Sequence, residues 1–198
     1  MWPYLYNDFT EGMIFFRSGS TETRFLNIHV YENRLHFIDG ENISELKSTG
    51  NIAKVEIAQV CFVPYAGSFY QLLSKGDSGV SLVLLTTGNF ESLLQSSGAY
   101  GSSANSNSTQ QLSSIEGTWR AGGTNHMNVK NNKSAGKEIP LVKKYFYLSG
   151  IELIPAKAKD VEKSLDDPAQ KKAFTAFVKA NKINWNRPDD LVKLLEVL

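Results

Sequence analysis

Through the first 95 positions, apolar and aromatic residues come in short runs cut by Gly, Asn, Asp or Ser about every ten residues, the rhythm of an antiparallel meander. The runs predict strands over 13–16, 24–31, 34–38, 43–46, 52–63 (bent), 69–74 and 80–86. Between the last two, KGDSG at 75–79 supplies residues that tolerate positive φ, as a hairpin loop requires.

The sharpest local pattern is FLNIHVYENRLHFI, 25–38. A two-residue turn at Glu32 and Asn33 would pair Tyr31 with Arg34, Val30 with Leu35, His29 with His36 and Ile28 with Phe37. One face then carries Leu26, Ile28, Val30, Leu35 and Phe37. The other carries Asn27, His29, Tyr31, Arg34 and His36, and the clean separation predicts a sheet with one buried and one wet face.

Residues 96–136 break the rhythm. Nine Ser, six Gly and six Asn occupy 21 of those 41 positions, so a loop excursion is expected, either a variable surface segment or a functional flap. Short strands are conceivable at 118–120 and 127–129. From 139 the order returns, with strands at 144–149 and 151–154 separated by Gly150. A short helix is predicted at 160–165. Asp167 followed by Pro168 is an N-cap with Pro at the first helical position, opening a helix to about 180. A second start at Asn186-Arg187-Pro188-Asp189 leads into Leu191, Leu194, Leu195 and Leu198 at i, i+3, i+4, i+7. Helices with such narrow apolar stripes must dock on the sheet to be stable. The expectation is one mainly β (α+β) domain, barrel- or sandwich-like. It is built of a meander (1–95), a Gly/Ser/Asn-rich excursion (96–136), closing strands (137–155) and a C-terminal helical cap (156–198).

Composition narrows the function. The 198 residues are 41% hydrophobic with a net charge of +1, so a buried core is expected and a general nucleic-acid binder is not. The charge divides into +3 over 137–198 and −2 over the rest, a mild asymmetry with no basic arm. Cys61 is the single cysteine, so no intrachain disulfide and no multi-cysteine zinc site is expected. No transmembrane run is present, and MWPYLYNDF lacks the basic and apolar regions of a signal peptide. Export stays open, because a trimmed mature chain would read the same.

Candidate chemistry is sparse. His29 and His36, directly opposite across the expected hairpin, would bring two imidazoles within reach of one metal, with His126 as a third ligand from the loop. Plain surface is the commoner fate of such a pair. Cys61, within an apolar stretch, is expected to be a buried small hydrophobe rather than a nucleophile. GAYGSS at 98–103 lacks the strand and helix of a nucleophile elbow, and no phosphate-binding glycine loop occurs. Asp166, Asp167, Asp189 and Asp190 fall at helix starts, where capping accounts for them. Aromatics crowd the N-terminus (Trp2, Tyr4, Tyr6, Phe9, Phe15, Phe16), mostly as core. Trp119, Tyr100 and Tyr65 are the candidates for contacting a sugar or protein partner.

The ordered motifs carry one resemblance. They are Gly12 with its aromatic strand, Leu26-Asn27, Leu35-His36-Phe37, the runs 52–57 and 69–73, Gly98-Ala99-Tyr100-Gly101-Ser102-Ser103, and the stretches 144–148, 174–183 and 191–195. In that order they resemble an uncharacterised family of exported, β-rich cell-envelope proteins of Bacteroidetes-type bacteria. The resemblance implies export, no assigned activity and no catalytic residues to carry over, although no signal peptide is visible. The expected function is a non-enzymatic binding or scaffolding protein of the envelope, without cofactor, whose partner is another envelope protein or a polysaccharide. The alternatives are a metal-assisted hydrolase built on His29 and His36, and a carbohydrate-binding module using Trp119.

Overall fold

Alternation along the first half of the chain is realised as antiparallel strands in the computed structural model, which describes residues 2–89, 124–134 and 138–198. The strands are β1 (Thr10–Phe16), β2 (Thr21–His29), β3 (Arg34–Asp39), β4 (Asn42–Glu45), β5 (Ile52–Ile57), β6 (Val60–Tyr65), β7 (Ser68–Lys75), β8 (Ser81–Gly88), β9 (Thr124–Asn125), β10 (Leu141–Ser149) and β11 (Glu152–Pro155). Helix α1 (His126–Asn131) follows β9, and α2 (Ala158–Ser164), α3 (Pro168–Ala180) and α4 (Pro188–Lys193) lie at the C-terminal end. The protein is mainly β and antiparallel, with small C-terminal helices. Two compact units divide it: Met1–Phe69 with Thr86–Val142, and Tyr70–Leu85 with Lys143–Leu198.

In the first unit the strand order is β6-β5-β1-β2-β3-β4-β9. Among the described residues no β6–β9 pairing closes it, so it is an open sheet rather than a barrel. Ile14, Leu26, Ile28, Leu35, Val55, Ile57, Phe62 and Phe69 fill its inner face, each contributing roughly 1.5–3 kcal/mol by leaving water. Strands β1 and β5 run so close that a Cβ at Gly12 would lie 2.5 Å from the Glu56 carbonyl oxygen and 2.9 Å from Leu26 Cδ1.

The β2–β3 hairpin keeps the predicted faces but not the predicted register. Leu26 pairs with Phe37, Asn27 with His36, Ile28 with Leu35 and His29 with Arg34, a slip of two positions. Four residues, 30–33, make the turn, with Asn33 at φ 57. Tertiary partners explain the slip. The Val30 N–H donates to the Pro3 carbonyl and the Val30 carbonyl accepts from Gly88 N–H, each at 2.9 Å. Val30 is therefore spent elsewhere and cannot pair with Leu35. Because the slip is even, no paired side chain changes face.

Three other expectations are corrected. Residues 52–63 form two strands, not one bent strand, folded back through Ala58 and Gln59 at φ 50 and 66. Residues 127–129 lie in α1 rather than in a strand. Asn125 caps that helix by accepting from Asn128 N–H at 3.2 Å, and cap geometry overrides the apolar spacing. Cys61 is only partly buried, because it stands opposite Glu56 on the outward side of β6.

The second unit orders its strands β11-β10-β8-β7. Here the leucine stripe docks as expected. Leu191, Leu194 and Leu195 join Leu82, Tyr147, Val161 and Phe174 in one core, and the Tyr147 hydroxyl donates to the Leu191 carbonyl at 2.8 Å. Asp167 caps α3 by accepting from Ala169 N–H at 2.9 Å, with Pro168 in the first turn. Asp190 accepts from Asn184 N–H at 3.2 Å and from Lys193 at 2.7 Å.

Candidate functional site

The site begins with one buried amide. Asn27 is fully buried on the face of β2 that its sequence pattern marks as polar. Its side-chain oxygen accepts from Tyr6 N–H (3.0 Å) and Ile28 N–H (2.9 Å), and its nitrogen donates to the carbonyls of Tyr6 (2.9 Å) and Asp8 (3.0 Å). Both donors and both acceptor positions of the amide are thereby used. These bonds hold residues 2–9 as a strap across β2. Leu5 N–H donates to the Ile28 carbonyl at 2.9 Å, and Tyr4 bridges to His29 in antiparallel fashion.

Under the strap lie His29 and His36. Their placement corrects the sequence expectation of a wet histidine face, since the two residues are 1% and 3% exposed. The strap supplies the cover, which the alternation of β2 and β3 alone does not reveal. The imidazoles stack with centroids 5.1 Å apart and planes 16° from parallel. Tyr4 presents its edge to both rings, at 5.4 and 5.6 Å, and its hydroxyl lies 3.0 Å from His36 Nδ1. His29 Nε2 is buried without a hydrogen-bond partner. Burial, reinforced by the charge His36 would carry, lowers His29 from 6.5 to about 3. Burial, then the Arg34 guanidinium, lowers His36 to about 4. Burial also pushes the Tyr4 hydroxyl up. The cluster is neutral at pH 7.

Helix α1 covers the outer side. His126 meets the edge of Phe9 at 5.5 Å, and Phe9 meets Tyr4 at 4.9 Å. All three histidines of the chain therefore share one corner, but His126 reaches the pair through two aromatic rings and not as a ligand. Lys130 pairs with Asp8 at 3.4 Å. Lys133 donates to the Asn7 carbonyl and sits 5.0 Å over the Trp2 ring. Beside the strap opens a groove of about 500 Å³, with Trp2, Leu5, Val30, Ile139, Lys133 and Glu138 in its wall, and Asn7 and Ser134 adding polar groups.

This geometry decides what the histidines do chemically. Lone pairs of ring nitrogens lie in the ring plane, so nearly parallel rings direct them side by side rather than onto one ion about 2.0–2.1 Å from each. Among the described residues no three His, Cys, Asp or Glu side chains gather as a metal set. As placed, the pair is a stacked, dehydrated support for the strap.

Of the other candidates, Trp119 and Tyr100, with the 98–103 and 118–120 segments, lie outside the described residues. Tyr65 ends β6 half-buried, next to the Ala66–Gly67 turn at φ 48 and 83, and is not in the groove wall. Sequence reasoning missed Asn27, Lys133 and Glu138. Asn27 alone had a signal, as an amide set between the apolar Leu26 and Ile28 of β2.

The fold and this corner define an open antiparallel β protein with a strapped histidine–tyrosine cluster beside a mixed groove. No family model, no curated protein and no solved structure matches the chain. No described helix is long and apolar enough to cross a membrane.

Proposed function

We propose that the chain is a non-enzymatic binding protein whose ligand seat is the groove beside the strap. The observation that carries this reading is the composition of that groove. Its wall combines the apolar Trp2, Leu5, Val30 and Ile139 with an ammonium, a carboxylate, an amide and a hydroxyl. Apolar area supplies affinity in such sites, and a few placed polar groups supply orientation. The nearby histidines favour a supporting role over a chemical one, because they are sealed, neutral and stacked. In this proposal the setting is the bacterial cell envelope that the sequence pattern resembles, and the ligand is a polysaccharide or a segment of another envelope protein.

Amide chemical-shift mapping with a panel of envelope glycan fragments and extended peptides tests it. The expected result is a shift cluster at Trp2, Asn7, Lys133 and Glu138 that Glu138→Ala weakens. Turnover of a glycoside, ester or peptide substrate, abolished by a point substitution, would replace this reading with an enzymatic one.

A further inference from the structure

We infer that residues 2–9 are a proton-released strap: charging of the stacked His29–His36 pair lifts the strap from β2 while the sheet beneath stays folded.

Among the described residues the strap joins the sheet by a single strand bridge, and the pair lies directly under it. Its polar attachments are the Tyr4–His29 bridge, the Leu5-to-Ile28 and Val30-to-Pro3 hydrogen bonds, the Asn27 amide and the Tyr6 hydroxyl, which donates to the Ile57 carbonyl at 3.5 Å. Tyr6 also meets Phe62, and Tyr4 and Phe9 pack with Ile43. From outside, Lys130 holds Asp8 and Lys133 holds the Asn7 carbonyl. Beneath, His29 Nε2 already lacks a partner in the closed state. A proton on either ring places a cation in a dry site, next to a second imidazole 5.1 Å away.

The surroundings offer that cation little compensation. On β2 the neighbour is the neutral Asn27, whose hydrogen bonds go to the strap. From β3 comes Arg34, a like charge. From β4 comes Glu45, in register with His36 but facing Arg34 at 3.8 Å. The strap brings Tyr4, which stays protonated, and Asp8, which is paired with Lys130 at 3.4 Å. On the outer side Lys133, just beyond α1, adds positive charge, while burial and Lys130 lower the pKa of His126. Glu32 also faces Arg34 at 3.8 Å, and Glu138 stands in the groove wall on the far side of Tyr4. With Glu45, Glu32 and Asp8 committed to cations, water must hydrate the new charge. Strands β2, β3 and β4 are joined in continuous register beneath the pair, whereas the strap meets β2 by a single strand bridge and is the cover that can lift without breaking the sheet ladder.

The direction follows from linkage. In the opened form both imidazoles meet water and titrate at their ordinary value near 6.5; in the closed form they stay neutral. Each pH unit below 6.5 therefore favours opening by up to about tenfold per ring, and about 100-fold for the pair. Trp2, Leu5 and Asn7 wall the groove, so release would also dismantle the proposed ligand seat. That consequence rests on the groove reading, whereas the release itself does not.

Hydrogen exchange of the full, unliganded chain between about pH 7 and pH 4.5, corrected for intrinsic amide chemistry, tests the release. The Leu5 and Val30 amides report the strap, and amides of β1 and β5 report the sheet. Below pH 6.5 the opening constant at Leu5 and Val30 is expected to rise toward about 100-fold per pH unit, with β1 and β5 still protected. The slope should persist in His126→Gln and vanish in His29→Leu/His36→Asn. Equal strap protection across the range overturns the inference, as does loss of strap and sheet protection in parallel, or a slope abolished by His126→Gln. The wild-type comparison decides the matter even if the double variant does not fold. Since no ligand is present, failure of the groove to bind anything leaves this result standing.

Discussion

The imidazoles of His29 and His36 stack at 5.1 Å even though the residues are diagonal, not opposite, in the strand register. Tyr4 closes over both, so neither ring reaches water. A histidine whose pKa falls on folding binds its proton more readily in the unfolded chain. Above pH 6.5 both states are neutral and the pair adds no pH dependence. Below 6.5 only the unfolded state is charged, and stability drops until the folded values, about 4 for His36 and about 3 for His29, are reached. The expected loss is roughly 1.4 kcal/mol per pH unit for each ring. Urea midpoints measured from pH 7 to 4 should fall in wild type and flatten in His29→Leu/His36→Asn.

Asn27 carries a heavier structural duty than any charged residue in this corner. Replacing it by Ala leaves Tyr6 and Asp8 main-chain groups without partners, at an expected cost of about 2–4 kcal/mol. Asn27→Asp is expected to be destabilising too, because a carboxylate supplies neither donor. Chemical denaturation followed by circular dichroism measures both. A loss below 0.5 kcal/mol in Asn27→Ala, the scale of an ordinary surface change, would contradict the clamp.

Two glycines of the first unit separate crowding from freedom. Gly12→Ala drives a methyl against the Glu56 carbonyl, which is backbone and cannot turn aside. Parting β1 from β5 should cost about 3 kcal/mol. At Gly50 nothing lies within 4 Å of the added carbon, and Gly50→Ala should be nearly silent. Thermal melts of the two variants make the comparison.

For the metal alternative, elemental analysis is the direct measurement. The protein is expected to carry the same zinc and copper content as its His29→Leu/His36→Asn variant, since the stacked lone pairs do not converge. One equivalent of metal lost in the variant would show that the rings turn to chelate.

Much of the fold was legible because local rules and tertiary demands agreed. Asp167-Pro168 marked the start of α3, and the stripe from Leu191 to Leu195 marked the face that docks. The alternation in 25–38 assigned the paired side chains of β2 and β3 to their correct faces, whereas Val30 and Tyr31, expected on opposite faces, lie in the turn and pack together. What escaped was decided by distant partners. The β2–β3 turn grew to four residues because Pro3 and Gly88 claim the backbone of Val30. Ala58 and Gln59 adopt left-handed turns without Gly or Asn to announce them. The histidine site was half legible. Composition and spacing marked the pair and the face it shares with Asn27, but its burial depends on a strap whose aromatics looked like ordinary core.

The path of the chain through the two units has a consequence for synthesis. The segment Tyr70–Leu85 emerges early, yet the rest of its unit begins only at Lys143. Leu82 and Val83, both fully buried in the finished protein, must wait for residues 86–142 to be translated first. At about 5–20 residues per second, those 57 positions impose a delay of roughly 3–11 s. Throughout that interval, and until the helices that begin at Ala158 have followed, an apolar hairpin stands at the ribosome uncovered, and slower translation over 86–142 should raise the demand for chaperones.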